Sequence, residues 1–179
     1  MIRPFSLSDL ESILQIEGQS FPKSPYDWMT FLNLHYLHPE TFLVYVSPST
    51  PRPEASGSLS VDPEERFHPP PQRRSLNTVE QLKTNRGQTE EEVWGYIIFT
   101  QEGHIISIAV HPHHRRKGIG GELLQRAMKT PHLKKVRAEV RRSNQGAQAF
   151  YFKTGFQITG MLPNYYGNED ALIIERSLQ

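Results

Sequence analysis

No cysteine occurs anywhere in the 179 residues, which removes disulfide frameworks, thiolate nucleophiles and cysteine zinc sites at once. No apolar run approaches the ~20 residues that a membrane helix needs. The opening segment MIRPFSLSDLESI lacks the apolar core of a signal peptide. Charge of one sign is also missing: 20 Lys and Arg face 19 Asp and Glu, a net of +1, which argues against a general nucleic-acid binder. Neither Gly-x-Ser-x-Gly nor His-Glu-x-x-His occurs, so the commonest hydrolase and zinc-protease signatures are absent. His111, His113 and His114 cluster, but they straddle a proline without an acidic or sulfur companion, so no metal site is expected there. What remains is a chain long enough for one domain with a real core. It is expected to be a cytoplasmic enzyme or binding protein with neither membrane nor nucleic acid as partner. Its oligomeric state is left open.

What is present centres on residues 104–128, HIISIAVHPHHRRKGIGGELLQRAM. Ile105, Ile106, Ile108, Ala109 and Val110 form a short run rich in β-branched residues, readable as a buried strand. Pro112 ends the ladder because it has no N–H to donate. A basic, glycine-punctuated segment follows: Arg115, Arg116, Lys117, Gly118, Ile119, Gly120 and Gly121. Then Ile119, Leu123 and Ala127, with Leu124 and Met128, recur at helical spacing. Strand, glycine turn and helix together present free N–H groups and a positive dipole end to an anion. A nucleoside-triphosphate loop is excluded because Glu122, not Ser or Thr, follows the last glycine. A dinucleotide fingerprint is excluded because Leu123 stands where its third glycine belongs. The same spacing would also suit a basic turn capping an ordinary helix.

The remaining pattern, Arg-x-x-Gly-x-Gly from residue 115 to 120, resembles the pyrophosphate-binding motif of the GCN5-related N-acetyltransferases, the GNAT family. Downstream, AEVRRSNQGAQAFYFKTGF resembles the second half of that family's core, and NYYGNEDALII its final hairpin. The match is nearest to the branch that acetylates protein N-termini, typified by the bacterial ribosomal-protein alanine N-acetyltransferase. It covers residues 93–178 strongly and about 2–46 more weakly. The resemblance implies an α/β fold: a mixed, mostly antiparallel six- to seven-stranded sheet, helices on both faces, and a splayed central strand pair that admits acetyl-CoA.

In chain order, residues 2–5 suit a short edge strand that tolerates Pro4. Ser8 and Glu11 have capping-box spacing ahead of a first helix. Ser24-Pro25 reads as the cap and first residue of a second helix, with Trp28, Phe31, Leu32 and Tyr36 on one face. Strands are expected at 41–46, 93–100 and 135–142, the last alternating Val136, Ala138 and Val140 with charges. Ser143 or Asn144 can cap a helix that ends near Gly155. Residues 47–92 hold 7 of the 14 prolines and few clustered apolar residues, and are expected to form a mobile insertion with at most a helical turn near 78–83. Replacing 50–88 by a short turn is accordingly expected to spare stability. The charges of Lys134, Lys135, Arg137, Arg141 and Arg142 read as the solvated face of a strand.

The resemblance also implies roles. Glu139 matches the general base, and Tyr151, twelve residues on, matches the general acid to the departing thiolate. Phe150 is expected to be the core aromatic of that helix. Backbone of Ile108, Ala109 and Val110 would pair with the pantetheine arm like an added strand, residues 115–121 would hold the diphosphate, and Asn144 would bond the arm. Glu17, Phe21, Pro22, Tyr165 and Tyr166 would border the acceptor. The implied activity is acetyl transfer from acetyl-CoA to the α-amine of a protein N-terminus, without a metal. A small-amine or lysine acetyltransferase is an alternative, as is a coenzyme-A-binding module without chemistry. Retention of both Glu139 and Tyr151 counts against the last.

Overall fold

The computed structural model describes residues 1–48 and 91–178. Strand β1 (Ile2–Pro4) lies at the edge of a four-stranded antiparallel sheet completed by β2 (Phe42–Val46), β3 (Val93–Phe99) and β4 (Ile105–Val110). A second sheet of three strands has the order β5, β7, β6, with β5 at Lys135–Arg141, β6 at Gln157–Leu162 and β7 at Ala171–Ser177. Helices α1 (Leu10–Ser20) and α2 (Trp28–Leu37) precede β2; α3 (Ile119–Met128) links β4 to β5, and α4 (Gln145–Lys153) links β5 to β6.

The two sheets meet along β4 and β5. Among the described residues these parallel neighbours share one isolated bridge, His104 with Arg137, supported by the Arg137 N–H on the Gly103 carbonyl at 2.9 Å. Beyond it no strand hydrogen bonds join them among the described residues, so a gap opens towards Val110 and Arg141. This is the splayed pair within a seven-stranded, mostly antiparallel arrangement.

Strand alternation sends side chains to two cores. Phe42, Val44, Val46, Tyr96 and Ile98 pack under α1 and α2 against Ile13, Ile16 and Phe31. Leu43, Ile97, Phe99 and Ile105 face the other way, onto Ile119, Leu123, Leu124 and Ala127 of α3 and Val136, Ala138 and Val140 of β5. Strands β2 and β3 are covered on both faces and so read as nearly continuous apolar runs. In β4 the register passes from Ile98 opposite Ser107 to Phe99 opposite Ile105, leaving Ile106 as an extra residue. Such a bulge re-aims neighbouring side chains, and here Ser107 comes within 3.1 Å of the Tyr96 hydroxyl.

Three local expectations are corrected. The first cap is not Ser8 with Glu11: Asp9, in the short turn Leu7–Asp9, accepts the Ser6 N–H at 2.8 Å and is held by Arg3 at 2.7 and 2.9 Å. The second helix starts at Trp28 rather than Pro25, because Asp27 caps it by accepting the Thr30 N–H at 2.8 Å. On that helix Phe31 is buried, whereas Trp28 is 52% and Tyr36 85% exposed, so the expected one-sided stripe does not form. Of the expected insertion, only Ser47, Pro48, Glu91 and Glu92 belong to the described residues. Ser47 and Glu92 bond reciprocally at 2.8 and 3.0 Å, which keeps β2 and β3 paired to their ends.

Candidate active site

The cradle forms where β4 ends. Pro112–His114 makes a short helical turn, and Arg116 and Gly118 then take left-handed conformations with φ of 64° and 89°. The first bond of α3 runs from the Glu122 N–H to the Gly118 carbonyl. Backbone N–H groups of residues 116–121 therefore find no backbone acceptor among the described residues. Unpaired N–H groups at such a turn, at the positive end of a helix, fit a diphosphate. The glycines are not equivalent. A Cβ at Gly118 or Gly121 would meet open space, but at Gly120 it would lie 3.3 Å from the Phe150 ring.

The side chains of the basic run do not all point at the cradle. Arg115 turns back, its Nε donating to the Val110 carbonyl at 2.9 Å and its Nη2 to Ser20 Oγ at 3.0 Å. Lys117 Nζ leans over Trp94, 5.8 Å from the ring centroid. Arg116 is exposed. Alternation along β4 puts the backbone of Ile108 and Val110 towards β5, where no strand pairs with it, and that of Ala109 towards β3. Asn144 caps α4 by accepting the Ala147 N–H at 3.0 Å, which leaves its amide NH₂ free of that bond.

Glu139 is no solvated charge. It lies on the face of β5 opposite Val136, Ala138 and Val140, its side chain is 11% exposed, and its Oε2 stands 2.5 Å from His104 Nε2. That pairing joins residues 35 apart in sequence across the start of the gap. Only in the fold does His104 emerge as part of the site. The Glu139 carbonyl accepts the Tyr166 hydroxyl at 3.0 Å. Tyr151 reaches the same neighbourhood from α4 and is 4% exposed; burial, then the charges of Tyr166 and Glu139, push its phenol well above the usual tyrosine range. Burial, followed by the neighbouring Tyr165, likewise pushes Tyr166 up to about 12. Contrary to expectation, Tyr151 is the fully buried aromatic of α4 while Phe150 is half-buried.

The residues before α2 form the opposite wall. Tyr26 is 37% exposed; burial, then the charges of Glu17 and Tyr165, push its phenol above the usual tyrosine range. Phe21 is half-buried against the α1 core and Pro22 is exposed. Glu17, only 2% exposed, turns inward: Oε1 accepts the Tyr26 N–H at 2.9 Å and Oε2 accepts the Tyr96 hydroxyl. Burial raises its carboxyl above the ordinary range. Its position is thus that of a strut beneath the wall. Tyr165 is 53% exposed and packs edge-on against Tyr166 at 5.0 Å. Among the described residues no group of three or more His, Cys, Asp or Glu is placed to hold a metal ion.

A helix-start anion cradle beside a splayed strand pair, with the shielded Glu139 carboxylate on β5 and the buried Tyr151 phenol on α4, fits an acyl-carrier-dependent transferase. The comparisons narrow the class. The family model described as "Acetyltransferase (GNAT) family" matches residues 50–156, and the chain belongs to that family. An uncharacterised N-acetyltransferase of Methanocaldococcus jannaschii is 27% identical over 182 residues, 97% of this chain and 89% of that protein. The N-alpha-acetyltransferase of Saccharolobus solfataricus is 38% identical over 96 residues, 48% of this chain but 58% of the relative. The structure of Ard1 from Thermoplasma volcanium superposes with a TM-score of 0.69 at 27% identity, covering 100% of this chain and 97% of that one. The chain is an acetyl-CoA-dependent acyltransferase with the GNAT fold.

Proposed function

We propose that the chain acetylates the α-amine of a protein N-terminus, with Glu139 as general base and Tyr151 as general acid. The observation that carries this reading is the shielded Glu139 carboxylate, 2.5 Å from His104 Nε2, on the residue whose carbonyl accepts the Tyr166 hydroxyl at 3.0 Å. The N-alpha-acetyltransferase name of the Saccharolobus solfataricus relative supports the acceptor class.

Acetyl-CoA supplies the thioester whose acetyl group is transferred. Residues 116–121 would hold its diphosphate, and the edge of β4 that pairs with no strand, at Ile108 and Val110, would hold its arm, with the Asn144 amide as a further donor. A terminal α-amine has a pKa of ~7.7–8.0, so a modest base suffices. Glu139 takes the amine proton, directly or through a water, while His104 fixes the carboxylate's orientation. The Tyr151 phenol, protonated at neutral pH, delivers its proton to the leaving sulfur as the C–N bond forms and the C–S bond breaks. Phe21, Pro22, Tyr26, Tyr165 and Tyr166 border the acceptor, and Glu17 sets the position of Tyr26 from below.

The test is thiol release. Acetyl-CoA is expected to raise the melting temperature, and adding short peptides with free and varied first residues should then liberate coenzyme A with one of them strongly preferred. A thermal shift without turnover on any peptide or small amine would leave only a binding module.

A further inference from the structure

Arg141 stands two residues beyond Glu139 on the same face of β5 and touches both walls of the gap. Its guanidinium carbon lies 4.0 Å from the Tyr166 ring centroid. Nη1 reaches Glu169 Oε2 at 3.3 Å in the 163–170 connection, and Nη2 donates to Ser24 Oγ at 3.1 Å in the connection before α2. Glu169 is held in turn, its Oε1 accepting the Ser143 N–H at 2.7 Å. Tyr166, stacked against this cation, bonds the Glu139 carbonyl. One side chain therefore bridges the connection before α2 and the 163–170 connection.

We propose that Arg141 is a positioning residue that ties the acceptor loops together and sets the affinity for the acceptor chain. The Ser24 bond fixes the first wall, while the Glu169 pair and the stacked cation fix Tyr166 over the entrance. Pairing with Glu169 also cancels a positive charge that would repel an incoming protonated amine. The tie does not reach the cradle, so it acts on the acceptor side alone. Sequence reading placed Arg141 among the solvated charges of β5; in the structure its side chain is 24% exposed and triply engaged.

This inference rests on the peptide-acceptor reading, and the experiment separates the two. Steady-state kinetics on the best peptide, acetyl-CoA affinity and amide hydrogen exchange are measured for wild type, Arg141→Met, Arg141→Lys and Ser24→Ala. Losing a cation–π contact and two charged hydrogen bonds is expected to raise the peptide KM about tenfold in Arg141→Met. kcat and acetyl-CoA affinity should stay within about twofold of wild type. Ser24→Ala, an exposed change that leaves β5 intact, should raise KM less, and Arg141→Lys should recover part of the loss. Exchange should speed at the Tyr26, Tyr166 and Gly167 amides in Arg141→Met. An unchanged KM with unchanged exchange overturns the proposal, as does a joint fall of kcat and cofactor affinity. If wild type uses only small amines, the N-terminal reading fails, and the exchange at the two loops still decides the tie.

Discussion

Replacing Glu139 with glutamine is expected to lower kcat by about 10²–10⁴-fold near neutral pH, the usual weight of a positioned base. Glutamine keeps the shape and can still bond His104, so the loss reports proton acceptance rather than packing. Cofactor affinity should be unchanged, because Glu139 stands outside the cradle. The deficit is expected to shrink as pH rises past the α-amine pKa of ~7.7–8.0, where the acceptor deprotonates unaided. A pH–rate series for both proteins, read as kcat and kcat/KM, checks this. Wild-type rates at every pH would move the base elsewhere, and Glu17 is poorly suited to inherit the task because both its oxygens already accept protein donors.

The second large effect belongs to the cradle. Gly118 takes φ of 89°, a conformation in which a β-branched side chain is strongly disfavoured. Strain of ~1–3 kcal/mol there should either distort the turn or be relieved by moving the N–H groups of residues 116–121. Gly118→Val is therefore expected to weaken acetyl-CoA binding by roughly 10–100-fold, since each ~1.4 kcal/mol is a factor of ten. Gly121→Ala is the control: its Cβ would meet nothing within 4 Å, and alanine suits the first turn of a helix. Isothermal titration with acetyl-CoA distinguishes them. Equal affinities for Gly118→Val and wild type would remove the glycine turn from the account. Gly120 is a less clean probe than its place in the motif suggests, because a side chain there also displaces Phe150.

Local signals were legible in the sequence, and distant partnerships were not. The β4–turn–α3 unit announces itself through Pro112, the glycines and the Leu123 spacing because each acts within a few residues. The period-two pattern of Val136, Ala138 and Val140 gave β5 and the face that Glu139 occupies. What sequence spacing does not encode is the pairing of His104 with Glu139, the closure of Arg141 onto Ser24 and Glu169, or the inward turn of Glu17. Each depends on how separate strands and loops are brought together. Helix starts slipped for a related reason: Asp9 and Asp27 compete with serines nearby, and the winner is set by the approach of Arg3 or by the Thr30 N–H. Tyr151 and Phe150 are adjacent, and only the packing of α4 on Phe156 and Val140 decides which of them is buried.

The central claim is that the acceptor is an α-amine. A lysine ε-amine of pKa ~10.4 is neutral only about one time in a thousand near pH 7.4, against roughly a fifth to a third for an α-amine. A single carboxylate base therefore favours the α-amine by about two orders of magnitude before any contact with Tyr165 or Tyr166 is counted. The direct measurement offers one peptide carrying both a free N-terminus and an internal lysine, and locates the acetyl group by fragment mass spectrometry at low conversion. Acetyl on the α-amine in at least about a hundredfold excess is the expected result. Equal labelling of the two amines, or preference for the lysine, would contradict the account.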